Sequence, residues 1–92
     1  MKITIEYNYY LLKKITKKQK EEIDIDKKNF NLEKLIGLLQ IKYGKKFKSL
    51  IIDNKNCVAR IPILINNNII NDLDYCLNNN DKINFLALTT GG

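Results

Sequence analysis

Histidine is absent from this 92-residue chain. The usual general base and the commonest metal ligand are therefore missing. Cysteine occurs twice, at Cys57 and Cys76. Two cysteines are too few to frame a disulfide scaffold. Without histidine they complete neither a four-ligand zinc site nor the four thiolates of a plant-type iron–sulfur cluster, so no metal site is expected. Arginine occurs once, as Arg60, and proline once, as Pro62. No apolar run approaches the roughly 20 residues that cross a bilayer, and nothing resembles a secretory signal. G-x-S-x-G, the P-loop and G-x-G-x-x-G are all missing. An enzyme built on this chain would have to work with carboxylates alone, and Asp24 and Asp26, alternating with Ile23 and Ile25, read better as the wet face of a strand. The expectation is a soluble cytoplasmic chain with no bound cofactor and no membrane partner.

What is present suffices for one core. A hydrophobic fraction of 45% is ordinary for a globular chain, and a domain of this size folds without staples. The net charge of +6 raises the question of nucleic acid. The lysines come in scattered pairs (Lys13-Lys14, Lys17-Lys18, Lys27-Lys28, Lys45-Lys46). Guanidinium is the preferred reader of phosphates and bases, so a chain with one arginine reads as having a solvated lysine surface and no direct specific nucleic-acid binding.

Residues 2–9 alternate with period two, with Ile3, Ile5, Tyr7 and Tyr9 on one side, as in a half-buried strand. A lysine-rich connection containing Leu11, Leu12 and Ile15 leads to a second strand over 20–26, hairpinned to the first. From Leu32 the period lengthens: Leu32, Leu35, Ile36, Leu39 and Tyr43 form the stripe of a three-turn helix. Asn31 is placed to cap it, Glu33 to meet the dipole, and Gly44 to end it in the left-handed conformation. Residues 45–59 are less regular; Phe47, Leu50, Ile51 and Ile52 suggest a short turn or strand, followed by a loop from Asp53. Residues 60–66 read as a strand with Pro62 at its start or on an edge. Asn66-Asn67-Asn68 is a turn, Ile69-Ile70 a return strand, Asn78 to Asp81 a second turn, and Lys82 to Leu88 the last strand. The order β-β-α-β-β-β predicts an α+β fold, a mixed sheet of four to five strands with one main helix across one face.

Two of the four glycines are Gly91 and Gly92. Residues 1–88 are expected to form a single domain and residues 89–92 a flexible tail: Thr89, Thr90, Gly91, Gly92. A tip without β-carbons is slim enough to enter a narrow cleft in a partner. Its carboxylate is a poor acyl donor. Attack on the α-phosphate of ATP would convert it to an acyl-adenylate. A sulfur nucleophile would then displace AMP and leave a thiocarboxylate at Gly92, or an amine would be acylated to a conjugate. Neither step needs a base within this chain.

The strand order, the stretch Ile63-Leu-Ile-Asn-Asn-Asn68, the turn Asn78-Asn-Asn-Asp81 before Lys82-Ile-Asn-Phe-Leu-Ala-Leu88, and the terminal Gly91-Gly92 together resemble the ubiquitin-related modifier, MoaD and ThiS family of ubiquitin-like sulfur carriers. The length and the stretch from Arg60 to Asn66 are most similar to the eukaryotic ubiquitin-related modifier. The resemblance implies a β-grasp fold and a monomeric, non-catalytic carrier. It implies activation of Gly92 by an E1-like adenylyltransferase and sulfurtransferase that uses ATP. In the modifier branch sulfur passes to a tRNA thiolation enzyme for the wobble uridine, and attachment to lysines of other proteins is a second outcome. In the MoaD and ThiS branches sulfur goes to molybdopterin or thiazole. Leu86 and Leu88, opposite Ile83 and Phe85, are the candidate docking residues for the activating enzyme, with Arg60 as an electrostatic addition; a loop carrying Phe47 is the alternative cover for the two leucines. Cys57 and Cys76 read as partly buried bystanders. A competing reading is a basic β-grasp module that binds RNA, whose salt-dependent affinity would survive loss of Gly91-Gly92.

Overall fold

The computed structural model describes residues 1–26, 28–53 and 55–87. Strand β1 (Lys2–Asn8) buries Ile3, Ile5 and Tyr7 completely, as its alternation requires. Strand β2 (Lys20–Asp24) pairs antiparallel with it, from Lys2↔Asp24 to Glu6↔Lys20. The connection between them is not a plain loop. It contains the helix α1 (Tyr10–Thr16), which buries Leu12 and Thr16. The Thr16 hydroxyl donates to the Leu12 carbonyl at 2.9 Å. Lys17, at φ 59°, ends the helix by donating its N–H to the Lys13 carbonyl at 2.7 Å.

Helix α2 (Leu32–Tyr43) buries Leu32, Leu35, Ile36 and Leu39, and the Asn31 side chain accepts from the Lys34 N–H at 2.8 Å. Gly44 does have positive φ, but at φ 102°, ψ 171° it is not the left-handed helical stop that the sequence suggests. It is a corner from which helix α3 (Lys45–Ile51) starts at once. Nothing lies within 4 Å of where its Cβ would be, so backbone conformation and not space favours glycine there. The expected turn or strand after Gly44 is thus a helix, turned so that Phe47 and Ile51 are buried. Strands β3 (Ile52–Asp53) and β4 (Val58–Ala59) form a small separate ladder.

Strand β5 (Ile63–Ile65) begins just after Pro62, and strand β6 (Asn68–Ile69) returns beside it. Asn66 and Asn67 have φ of 53° and 71°, the pair of positive values that a two-residue hairpin turn needs. Strand β7 (Lys82–Leu86) lies between β1, to which it is parallel, and β5, to which it is antiparallel. The main sheet has the order β2-β1-β7-β5-β6. One sheet face carries Ile3, Ile5, Tyr7, Ile63, Ile65, Ile83 and Phe85, which share the buried core with the apolar stripes of α2 and α3. Tyr7 stacks on Phe85 at 6.1 Å, and Phe47 meets both edge-on at 6.0 and 6.4 Å. The sheet is mixed, with five strands and a main helix across one face, within the four to five strands that the sequence predicts. Among the described residues no helix is long and apolar enough to cross a membrane.

Candidate functional site at the end of the last strand

β7 delivers the chain to Leu86, six residues before Gly92. It does so from the middle of the sheet, so both flanks of its end are fixed. The Leu86 N–H donates to the Pro62 carbonyl at 3.0 Å, and the Ala87 N–H donates to the Asn8 carbonyl at 3.3 Å. Turn chemistry at the other end of β7 sets its register. Buried Asp81 accepts from the Asn66 side chain and from the Asn78 N–H, each at 2.8 Å. Asn66 in turn accepts from the Lys82 N–H at 3.0 Å. One carboxylate and one amide thus tie the β5–β6 hairpin to the turn that launches the last strand.

Leu86 is half-buried and lies on the face away from the helices. Phe47 does not cover it, because Phe47 packs against Phe85 and Tyr7 on the other face. Beside Leu86 this outer face carries Pro62, Leu64 and, across from Leu64, exposed Ile69. Leu64 and Ile69 were not singled out from sequence. Alternation with buried Ile63 and Ile65 would have found Leu64, and the register of a two-residue hairpin would have found Ile69. The middle of the face is polar. Lys82 reaches Glu6 at 2.8 Å, and the Asn8 amide donates to Asn84 at 2.7 Å. The Lys82 hydrogen bond holds the Glu6 carboxyl below its usual range.

Arg60 is held elsewhere. Its backbone N–H donates to Ile51, its Nε to the Ile52 carbonyl at 3.4 Å, and its guanidinium sits 3.7 Å from Asp53. The structure places its side chain against β3, not against Leu86. Leu88, Thr89, Thr90, Gly91 and Gly92 lie outside the described residues. Cys57 and Cys76 are exposed, not partly buried. Cys57 sits in the turn between β3 and β4 at φ 54°, and Cys76 is bridged to Asn31 through its backbone. Among the described residues no group of three or more His, Cys, Asp or Glu could hold a metal ion.

Two strands away from β7, on the edge of the sheet, lies a buried carboxylate. Glu21 of β2 points inward, its side chain only 7% exposed. It accepts from the hydroxyls of Tyr7 and Tyr43, both at 2.7 Å, and from Lys18 at 3.0 Å and Lys42 at 3.3 Å. Burial pushes its carboxyl up, but the four donors outweigh burial and bring it down to about 2. The Tyr7 hydroxyl is pushed well up, by burial first and then by its bond to Glu21. No sequence period marks this cluster, because a glutamate on the inner face of a strand violates the apolar pattern.

The family model described as Urm1 (Ubiquitin related modifier) matches residues 2–92, from the first strand through the glycine pair. The chain belongs to the Urm1 family. The solution structure of Urm1 from Trypanosoma brucei is similar at 26% identity and a TM-score of 0.77, covering 99% of this chain and 95% of that one. The putative molybdopterin converting factor subunit 1 from Pyrococcus furiosus shares the fold at 18% identity and a TM-score of 0.73, with 94% and 95% covered. A protein–protein complex of subunits 1 and 2 of the molybdopterin-converting factor from Helicobacter pylori 26695 matches at 22% identity and a TM-score of 0.64, with both chains fully covered. A search of curated proteins finds no match. The Urm1-family fold is a ubiquitin-like β-grasp, as the resemblance in sequence implies.

Proposed function

We propose that this Urm1-family chain is a ubiquitin-like sulfur carrier whose reactive group is the Gly92 carboxylate. The observation that carries the reading is the family match running through Gly91-Gly92, on a fold that fixes β7 on both flanks up to Ala87. An E1-like adenylyltransferase forms the acyl-adenylate with ATP and releases pyrophosphate. A persulfide of the partner attacks the acyl carbon and releases AMP, leaving an acyl disulfide; a second thiol of the partner then attacks the partner's sulfur of that bond, freeing the Gly92 thiocarboxylate and leaving a disulfide on the partner. The partner supplies the catalysis, and this chain acts as its co-substrate. The sulfur then passes to a tRNA thiolation enzyme for the wobble uridine, and acylation of protein lysines is the second use of the same activated end. The tail presents Gly92 through Thr89, Thr90 and Gly91. Leu86, with Pro62, Leu64 and Ile69 around it, is the docking face, joined by Leu88. Arg60 is a peripheral contributor, given its engagement with Asp53.

ATP–pyrophosphate exchange by the cognate activating enzyme tests the first step. The full chain should support exchange, and the chain lacking Gly92 should not. Exchange that persists at full rate without Gly92 contradicts the reading.

A further inference from the structure

The main sheet ends at β2, which among the described residues pairs with β1 alone. The Ile25 N–H donates to the Met1 carbonyl at 2.7 Å, and the Tyr7 N–H donates to the Gln19 carbonyl at 2.8 Å. Hydrogen-bonded positions alternate along an antiparallel ladder. Gln19, Glu21, Ile23 and Ile25 therefore turn their backbone groups toward β1, and Lys20, Glu22 and Asp24 turn theirs outward. An open edge of this kind is a template for one more strand.

Beside this edge lies an apolar hollow of about 400 Å³, lined by Ile23 of β2 and by Leu38, Leu39 and Ile41 of α2. Leu39 belongs to the buried stripe of α2, but Leu38 and Ile41 lie off it, 39% and 85% exposed. Two further hollows share Leu38. One is also lined by Asp24, Ile25 and Asp26, the other by Phe30, Ile41 and the lysines Lys28 and Lys34.

The charge along the edge has a sign. Exposed Glu22, Asp24 and Asp26 recur at every second residue, in a row that Lys20 begins. Their own cations hold them loosely: Lys2 stands 3.9 Å from Glu22, and the terminal ammonium 3.5 Å from Asp24. Lys42, the cation of the first hollow, reaches the buried Glu21 at 3.3 Å. Matching the full length of β2 antiparallel with a second copy would set Glu22 opposite Glu22, and like charges directly opposite are destabilising. A strand with alternating apolar and cationic side chains fits on both faces. Its apolar side chains enter the hollow beside Ile23, and its cations lie opposite Glu22 and Asp24.

We infer that the β2 edge and the Leu38–Ile41 hollow form a docking site for an extended segment of a partner protein, in which apolar residues alternate with lysine or arginine and which adds to the sheet as a further strand. The site is independent of the chemistry at Gly92. β1 separates β2 from β7, and the hollow lies on the helix side, so the segment leaves the Leu86 strip on the other face uncovered.

Fluorescence anisotropy with the full chain and a labelled peptide of alternating valine and arginine, about six residues long, tests it. Binding in the micromolar range is expected. The same peptide with glutamate in place of arginine, or with its backbone nitrogens methylated, should bind at least about tenfold more weakly. Leu38→Ser with Ile41→Ser should weaken the arginine peptide about tenfold. Glu22→Lys with Asp24→Lys should weaken it as much and favour the glutamate peptide instead. These four side chains are exposed, and circular dichroism verifies that both variants fold. In the parent chain, amide hydrogen exchange at Lys20, Glu22 and Asp24 should slow when peptide is added, as outward N–H groups enter a ladder. No binding at millimolar peptide, equal binding of the glutamate peptide, or unchanged exchange at those three amides would each overturn the inference. Slowing of that exchange with chain concentration alone would assign the edge to a second copy and overturn it as well. ATP–pyrophosphate exchange should be unaltered by the Leu38 and Ile41 substitutions, and peptide binding should be unaltered by deletion of Gly92, so failure of this inference and failure of the carrier reading are distinguishable.

Discussion

Glu21 titrates far below its ordinary value because four donors converge on it inside the fold. Its ordinary carboxyl value is 4.5, and in the folded chain it is about 2. A lowered folded value means that its contribution is fully present above the ordinary value and is lost as pH falls through 4.5 toward 2. Allowing for the half-exposed lysines that supply two of the donors, that contribution is on the order of 2–3 kcal/mol. Urea unfolding of Glu21→Gln at pH 7 should therefore show a loss of about that size relative to the parent chain, shrinking as both are compared at acid pH. An equal deficit at pH 7 and pH 2.5 would show that packing, not charge, sets the cost. This residue was invisible in the sequence. Its place on the inner face reads as a break in alternation, and its partners come from Lys18 just beyond α1, from β1 and from α2, so only the fold assembles them.

Elements with a clean period were legible, and elements built from lysine were not. β1, β2, α2, the two asparagine turns and β7 follow from alternation, from a 3.6-residue stripe and from the tolerance of asparagine for positive φ. Asn31 caps α2, as its place before the apolar stripe predicts. Replacing it by alanine removes the acceptor for the Lys34 N–H. It should cost about 1 kcal/mol, measured as a lower urea midpoint with an unchanged slope. No change in midpoint would mean that water replaces the cap without loss. α1 and α3 escaped because each is two turns long, with lysines filling the gaps between the buried residues: Leu12 and Thr16 in α1, Phe47 and Ile51 in α3. Tertiary burial of those few side chains, not propensity, makes such short segments helical. The segment after Gly44 shows the same thing, since its apolar residues fit a strand period as well as a helical one until Phe47 is seen edge-on to the stacked pair of Tyr7 and Phe85.

At the scale of the whole molecule, the β-grasp architecture was legible because the order of elements leaves few topologies once the hairpin, the helix and the final strand are placed. Of the candidate site, the outer position of Leu86 followed from alternation. Leu64 and Ile69 joined it only when β5 and β6 were aligned with β7, and Arg60 turned out to be tied to Asp53. The sheet therefore presents one apolar strip beside the end of β7. Leu86→Glu should weaken binding of the activating enzyme by about tenfold, the scale of a central contact, with the far-ultraviolet circular dichroism unchanged. An unaltered dissociation constant by calorimetry would remove Leu86 from the docking face.

Intact-mass spectrometry addresses the chemistry at Gly92 most directly. After incubation with the cognate activating enzyme, ATP, a persulfide donor and a thiol reductant that cleaves the acyl disulfide, the chain should gain about 16 Da, the replacement of one carboxyl oxygen by sulfur, and the chain lacking Gly92 should gain nothing. An unchanged mass with an enzyme shown to be competent, or the same gain in the shortened chain, would contradict the assignment of Gly92 as the reactive centre.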